Sequence, residues 1–303
     1  MISQALPIRA ADENAAQPQL KVAIFSKHLQ FLLSGEELAK ATADIGFDAI
    51  DLTVRKGGHV QPERVAQDLP LLVGIIRQHG LKVHLITTDI VDADSPFAED
   101  ILKTMVTLRI HHYRWGNLRF VAGQPYGAQL EQMKLRIAKL AELNSRYQAC
   151  AMYHIESGAE RVGSAVLDLY MLLKEFDPKA VGVNYDVANG VEGGGGGSWM
   201  NSFRIMEPYI RGIAVRDFDR NKDASGAWGR QFKPLGEGLI PFPQFFTLVA
   251  EARFSGLVEI IAEYLLGGET DSKGTGVVDR KAVYSGLKRD LTKLRGYLLE
   301  AHL

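Results

Sequence analysis

A single cysteine, Cys150, stands among 303 residues, so no intrachain disulfide can form. A lone thiol leaves the compartment open between cytoplasm and periplasm. No run reaches the roughly 18 apolar residues that a membrane-spanning helix needs. Basic residues are not in excess: 35 Lys and Arg stand against 36 Asp and Glu, for a net charge of −1. That balance gives no electrostatic footprint for nucleic acid or an anionic membrane. No GxGxxG follows the first apolar segment and no Walker A loop occurs, which argues against dinucleotide binding and a phosphate cradle of that type. No linker and no internal repeat divides the chain.

What is present is regular. After a flexible N-terminal segment, 1–20, whose "LPIRAADENAA" has the small-residue character of a trimmed leader, apolar strand-like runs alternate with amphipathic segments. The runs "KVAIFS" (21–26), "FDAIDL" (47–52), "LKVHLIT" (81–87), "RIHHYRW" (109–115), "QACAMYH" (148–154), "AVGVNYD" (180–186), "IRGIAVRDF" and "GLVEIIAEY" (256–264) read as eight strands. Helical patterns cover 34–46, 61–80, 96–108, 126–147, 163–176, 199–207, 241–254 and 279–300, with Pro70 a point of kinking or division. Eight strand–helix units over residues 21–303 predict one (β/α)8 TIM barrel of the α/β class, with an open doubly wound sheet as the rival. The run "GGGGG" after the sixth strand is expected to be a flexible loop.

In such a barrel the active site lies at the C-terminal strand ends. Polar residues gather there: Lys27 and His28; Asp51, Thr53, Arg55 and His59; Thr87 and Asp89; Tyr113, Arg114 and Trp115; His154 and Glu156; Asp186 and Asn189; Arg216 and Asp217; Glu263. Charged groups seldom enter a barrel core without partners, so their concentration at one end predicts a pocket for a hydroxylated ligand. Substrate contacts are assigned to His28, Arg55, His59, Tyr113, Arg114, Trp115, Asn189, Arg216 and Lys233. His154, Asp186 and Glu263 carry the atoms a divalent ion such as Mn2+ or Zn2+ takes, with Glu156 or Asp217 available to complete the set. Glu156, His154 and Glu263 are the acid–base candidates. His79, His84 and His111 read as structural.

The segments "GFDAIDLTVRKGGHV" (46–60), "HIESG" (154–158), "VGVNYDVANG" (181–190), "AVRDF" (214–218), "PLGEG" (234–238) and "IIAEY" (260–264), in that order, resemble the xylose-isomerase-like barrels that include sugar phosphate isomerases and epimerases. The resemblance spans nearly all of 21–300. It implies a divalent ion held by glutamate, aspartate, histidine and glutamate at the ends of strands five to eight, with two carboxylates moving a proton beside a carbonyl. Asp186 and Glu263 match two of those ligands. His154 stands where the first glutamate is expected, and Ala214 where the histidine is expected. Asn189 replaces a further histidine. The expected function is therefore a carbohydrate isomerase or epimerase acting on a sugar-like small molecule. The alternatives are a non-catalytic sugar-binding barrel or lyase or hydrolase chemistry on the same scaffold. Self-association into a homo-oligomer is compatible with the sequence.

Overall fold

Side chains of a barrel strand alternate between the interior and the surrounding helices, and that alternation organises the whole molecule. The computed structural model describes residues 20–222, 225–264, 266 and 278–303. The leader reading of the N-terminal segment falls almost wholly outside them. Eight parallel strands, β1 (Val22–Phe25), β2 (Ala49–Val54), β3 (Lys82–Thr88), β4 (His112–Trp115), β5 (Cys150–His154), β6 (Val181–Asp186), β7 (Ile210–Val215) and β10 (Leu257–Ile260), close in chain order into a barrel. Helices α1 (Gly35–Ile45), α2 (Val65–Gln78), α3 (Ala98–Thr107), α4 (Tyr126–Arg146), α5 (Leu167–Leu173), α6 (Val187–Met206), α7 (Phe242–Glu251) and α8 (Arg280–Glu300) follow the strands. The fold is the expected (β/α)8 barrel. None of the described helices is long and apolar enough to cross a membrane.

Three local features depart from expectation. Pro70 lies inside α2, which runs through it undivided. The glycine run is not a long loop: two helical stretches of α6 meet within it at a kink, where Gly195 is non-helical (φ 59°, ψ −171°). Between β7 and α7 a two-stranded antiparallel hairpin appears, β8 (Asp217–Lys222) with β9 (Trp228–Lys233).

The strand registers stack the interior side chains in layers. A step of two residues toward the C-terminal end for every two strands closes on itself after eight, the stagger of this barrel type. One layer so defined holds Asp51, Arg114, Asn184 and Glu259, from β2, β4, β6 and β10. Phe25, Thr87, His154 and Ala214 form the layer above it, and Ala23, Leu85, Met152 and Gly212 the layer below. Gly212 makes room for the polar layer: a Cβ there would lie 2.9 Å from Asn184 Oδ1.

A middle layer of four polar side chains is unusual, because interior layers of this fold are ordinarily apolar. Asn184 Nδ2 donates to Glu259 Oε1 at 2.5 Å, and Thr87 Oγ1 to Asp51 Oδ2 at 2.7 Å. Burial, followed by the charge of Asp51, pushes the Glu259 carboxyl well above its usual range. Glu259 is thus held as the neutral acid, and its linkage sign follows. The folded state keeps a proton that the unfolded chain releases near pH 4, so Glu259 costs stability as pH rises from there. Glu259→Gln should therefore stabilise the fold by about 2 kcal/mol at pH 8, with the gain disappearing near pH 4. Urea unfolding at the two pH values measures this, and a destabilised variant at pH 8 would contradict it.

Candidate active site

The interior residues of the upper layers lead directly to the mouth. Asp186 ends β6 and caps α6, its Oδ1 accepting the Asn189 N–H at 2.8 Å. Its other oxygen, Oδ2, lies 2.7 Å from Arg216 Nε and 3.3 Å from His154 Nε2. Asp186 and His154 are fully buried and Arg216 nearly so. Burial works to raise the Asp186 carboxyl, but Arg216, His154 and the Asn189 N–H outweigh it and hold it at about 2. Burial, reinforced by Arg114, pulls His154 down to about 3 despite Asp186. A neutral His154 fits its contacts: Nδ1 lies 3.4 Å from the Asn184 amide nitrogen, leaving Nε2–H to face Asp186.

Glu263, from the segment after β10, receives Lys27 Nζ at 3.1 Å. Burial works to raise its carboxyl, while Lys27, His28 and Arg216 together hold it below the usual glutamate range. It is the ionised carboxylate of the mouth. Beside it, His28 Nε2 accepts the Ala262 N–H at 3.0 Å, which places the ring proton on Nδ1, and burial lowers its pKa to about 4. His59 is likewise drawn to about 4 by burial. Its Nδ1 lies 3.0 Å from Thr53 Oγ1, and its own N–H donates to the same oxygen.

Two phenylalanine rings each carry two guanidinium groups. Phe232 lies 5.0 Å from Arg216 and 4.7 Å from Arg230. Phe25 lies 5.6 Å from Arg55 and 5.4 Å from Arg114. Arg230 ties the β8–β9 hairpin to the barrel, with Nη1 donating to Asn189 Oδ1, Ser157 Oγ and Glu192 Oε2 at 2.8, 3.0 and 2.8 Å.

Several expected site residues are placed elsewhere. Tyr113 and Trp115 point outward from β4 into the helix layer, the opposite parity from Arg114. Tyr113 donates to Asn144 Oδ1 on α4 at 2.9 Å, and Trp115 packs edge-on against Tyr153. Neither contacts the mouth. Asn189 is committed to structure, donating to the Ile155 carbonyl as well as accepting from Arg230. Glu156 is occupied by Asn117 and Arg161. Asp217 accepts the N–H groups of Phe218, Gly236, Gly238 and Ile240, so it shapes the "PLGEG" loop. Lys233 ends β9, half-buried. His112 lies at the opposite end of the barrel, where it lines a cavity of about 1000 Å3 with His84, Met152 and Arg211. That cavity opens at the N-terminal strand ends, away from the ionisable cluster.

Asn184 and Glu259 escaped the sequence reading. Their signal was parity: each stands an even number of residues before a mouth residue, Asn184 two before Asp186 and Glu259 four before Glu263.

The family described as xylose isomerase-like TIM barrel matches residues 39–273. The chain belongs to that family. No curated protein matches the sequence. Among solved structures, this xylose isomerase-like barrel is similar to a D-psicose 3-epimerase from Clostridium cellulolyticum H10 bound to D-tagatose, at 14% identity and a TM-score of 0.68 over 92% of this chain and 99% of that one. It is similar to an L-ribulose 3-epimerase at 16% identity and 0.68, over 93% and 95%. It also resembles the probable 3-DHS dehydratase AsbF of Bacillus anthracis at 14% identity and 0.67, over 91% and 98%. These likenesses establish the fold.

A divalent ion would need His154, Asp186 and Glu263 to converge. Among the described residues, no three His, Cys, Asp or Glu side chains are grouped to hold a metal. The inward oxygen of Asp186 already faces a guanidinium, Glu263 faces an ammonium, and Ala214 offers no donor. In this arrangement the cation that faces Asp186 in the xylose isomerase-like barrel is the Arg216 guanidinium.

Proposed function

We propose that the mouth of this barrel moves a proton beside the carbonyl of a small hydroxylated compound, the reaction class of sugar isomerases. The observation carrying this reading is the buried Asp186–Arg216 pair within electrostatic reach of the ionised Glu263. Glu263 is the base: ionised at neutral pH, partly exposed, and positioned by Lys27. Arg216 is the fixed positive charge that meets the carbonyl oxygen as it gains enediolate charge, a preorganised electrostatic role. Asp186 and neutral His154 fix Arg216 without adding a mobile proton. Isomerisation is favoured over epimerisation by proton accounting. A single base can lift a proton from one carbon and return it to the next on the same face, with the hydroxyl proton passing between the two neighbouring oxygens of the cis-enediolate, whereas inversion needs a second group on the opposite face. Of the other acid–base candidates, Glu156 is engaged by Asn117 and Arg161, and His154 is buried against Asp186. The epimerases to which this barrel is similar are consistent with carbonyl-adjacent proton transfer on this scaffold.

Incubation with a panel of aldoses and ketoses in D2O tests the proposal by NMR. Deuterium should enter at the carbon beside the carbonyl, at a rate unchanged by EDTA or by added Mn2+ or Zn2+. Calorimetric sugar binding without any exchange would support the non-catalytic barrel instead. Exchange that chelation abolishes would overturn the assignment to Arg216.

A further inference from the structure

The four guanidiniums around the two phenylalanine rings are not equivalent. Arg216 lies against Asp186 and Arg230 against Glu192. Arg55 and Arg114 have no such partner: among the described residues neither guanidinium makes a hydrogen bond or an ion pair. Arg114 Nη1 is buried without any acceptor. Both groups are partly buried, and both lie on the same Phe25 ring at the C-terminal end of β1. Asp51, Asp89 and Glu263 act on Arg55 only through space.

Asp51 and Glu259 likewise act on Arg114 only through space, and two like charges held together in a half-buried position with no carboxylate in direct contact are costly unless something supplies one. Burial, and then the nearby Arg114, lower the Arg55 pKa. The planar fork of arginine matches the paired oxygens of a carboxylate or phosphate, and the Phe25 ring fixes both forks against one surface.

We propose that Arg55 and Arg114 form an oxyanion clamp at the mouth, so that the substrate carries a terminal carboxylate or phosphate. The clamp rests on the same mouth as the proposed isomerisation but does not depend on that chemistry. It binds the charged end of the substrate while Arg216 and Glu263 address the carbonyl. The neutral histidines His28 and His59 leave the clamp as the positive surface of the mouth not in direct contact with a carboxylate.

Calorimetry on the full-length protein with D-fructose, D-fructose 6-phosphate and D-glucuronate tests this. At least one anionic sugar should bind ten times or more tightly than fructose, and the stronger of the two identifies phosphate or carboxylate as the natural group. Arg55→Gln and Arg114→Gln should each reduce that preference by about tenfold, and Arg55→Lys should keep part of it. Circular dichroism checks folding. If Arg114→Gln does not fold, Arg55→Gln decides. An equal affinity for neutral and anionic sugars, no measurable binding of any of the three, or a preference that survives Arg55→Gln overturns the clamp. Anion preference without deuterium exchange would overturn the proposed isomerisation and leave the clamp standing.

Discussion

Arg216→Ala should lose about 3–5 kcal/mol of stability at pH 7, together with a fall of about 10²–10³ in deuterium exchange. The stability loss arises because Asp186 is wholly buried and its carboxylate would keep only His154 and the Asn189 N–H as partners. The sign with pH is distinctive. In the native protein the depressed carboxyl contributes stability that is full above its ordinary value near 4 and is lost as pH falls through about 2. Without Arg216 burial dominates, the carboxyl rises, and ionising it works against folding. The penalty should therefore be largest at neutral pH and shrink toward pH 3. Urea midpoints at pH 3, 5 and 7 read this out. Arg216→Lys separates charge from geometry: it should recover part of the stability, while exchange stays low because an ammonium lacks the fork. An alanine variant as stable as the native protein at pH 7 would show that the pair does not carry the load assigned to it.

Glu263→Gln should reduce exchange by about 10²–10⁴ while leaving the fold within about 1 kcal/mol, since the amide keeps the shape and only a partly exposed ion pair is lost. The native rate should show an acid limb below the ordinary glutamate range, because exchange needs the ionised form and Lys27 favours it. Lys27→Met removes that support, so the limb should move to higher pH with the maximal rate less affected. A limb that does not respond to Lys27→Met, or a Gln variant of native rate, would move the base to another residue.

The barrel was legible in the sequence because each strand buries apolar residues between chain reversals, and eight such units in 280 residues admit few architectures. The hairpin β8–β9 was not. Arg220, Asn221 and Lys222 are exposed, and the hairpin lacks the apolar alternation that marks a half-buried strand. Helix α5 is shorter than the 163–176 pattern because Gly163 and Val166 adopt positive φ, which ends helical geometry before Leu167. In the site, residue types were readable and orientations were not. Tyr113 and Trp115 stand beside Arg114 in sequence, and the two-residue period of a strand turns them away from it. Glu156 and Asp217 looked free because the partners that occupy them, Arg161 and the 236–240 backbone, come from loops whose course no local pattern specifies.

The glycine run that α6 absorbs has a practical consequence for labelling. Its first members are hemmed in: a side chain at Gly193 would collide with the Ser164 carbonyl, and one at Gly194 with the Trp199 backbone. Gly196 and Gly197 face open space. The only native thiol, Cys150, is buried and pushed up to about 12, out of reach of common reagents. A cysteine introduced at Gly197 would therefore be the single reactive attachment point on the protein. It would place a dye on the crossover that starts at Asp186, where fluorescence could report ligand capture without a coupled assay.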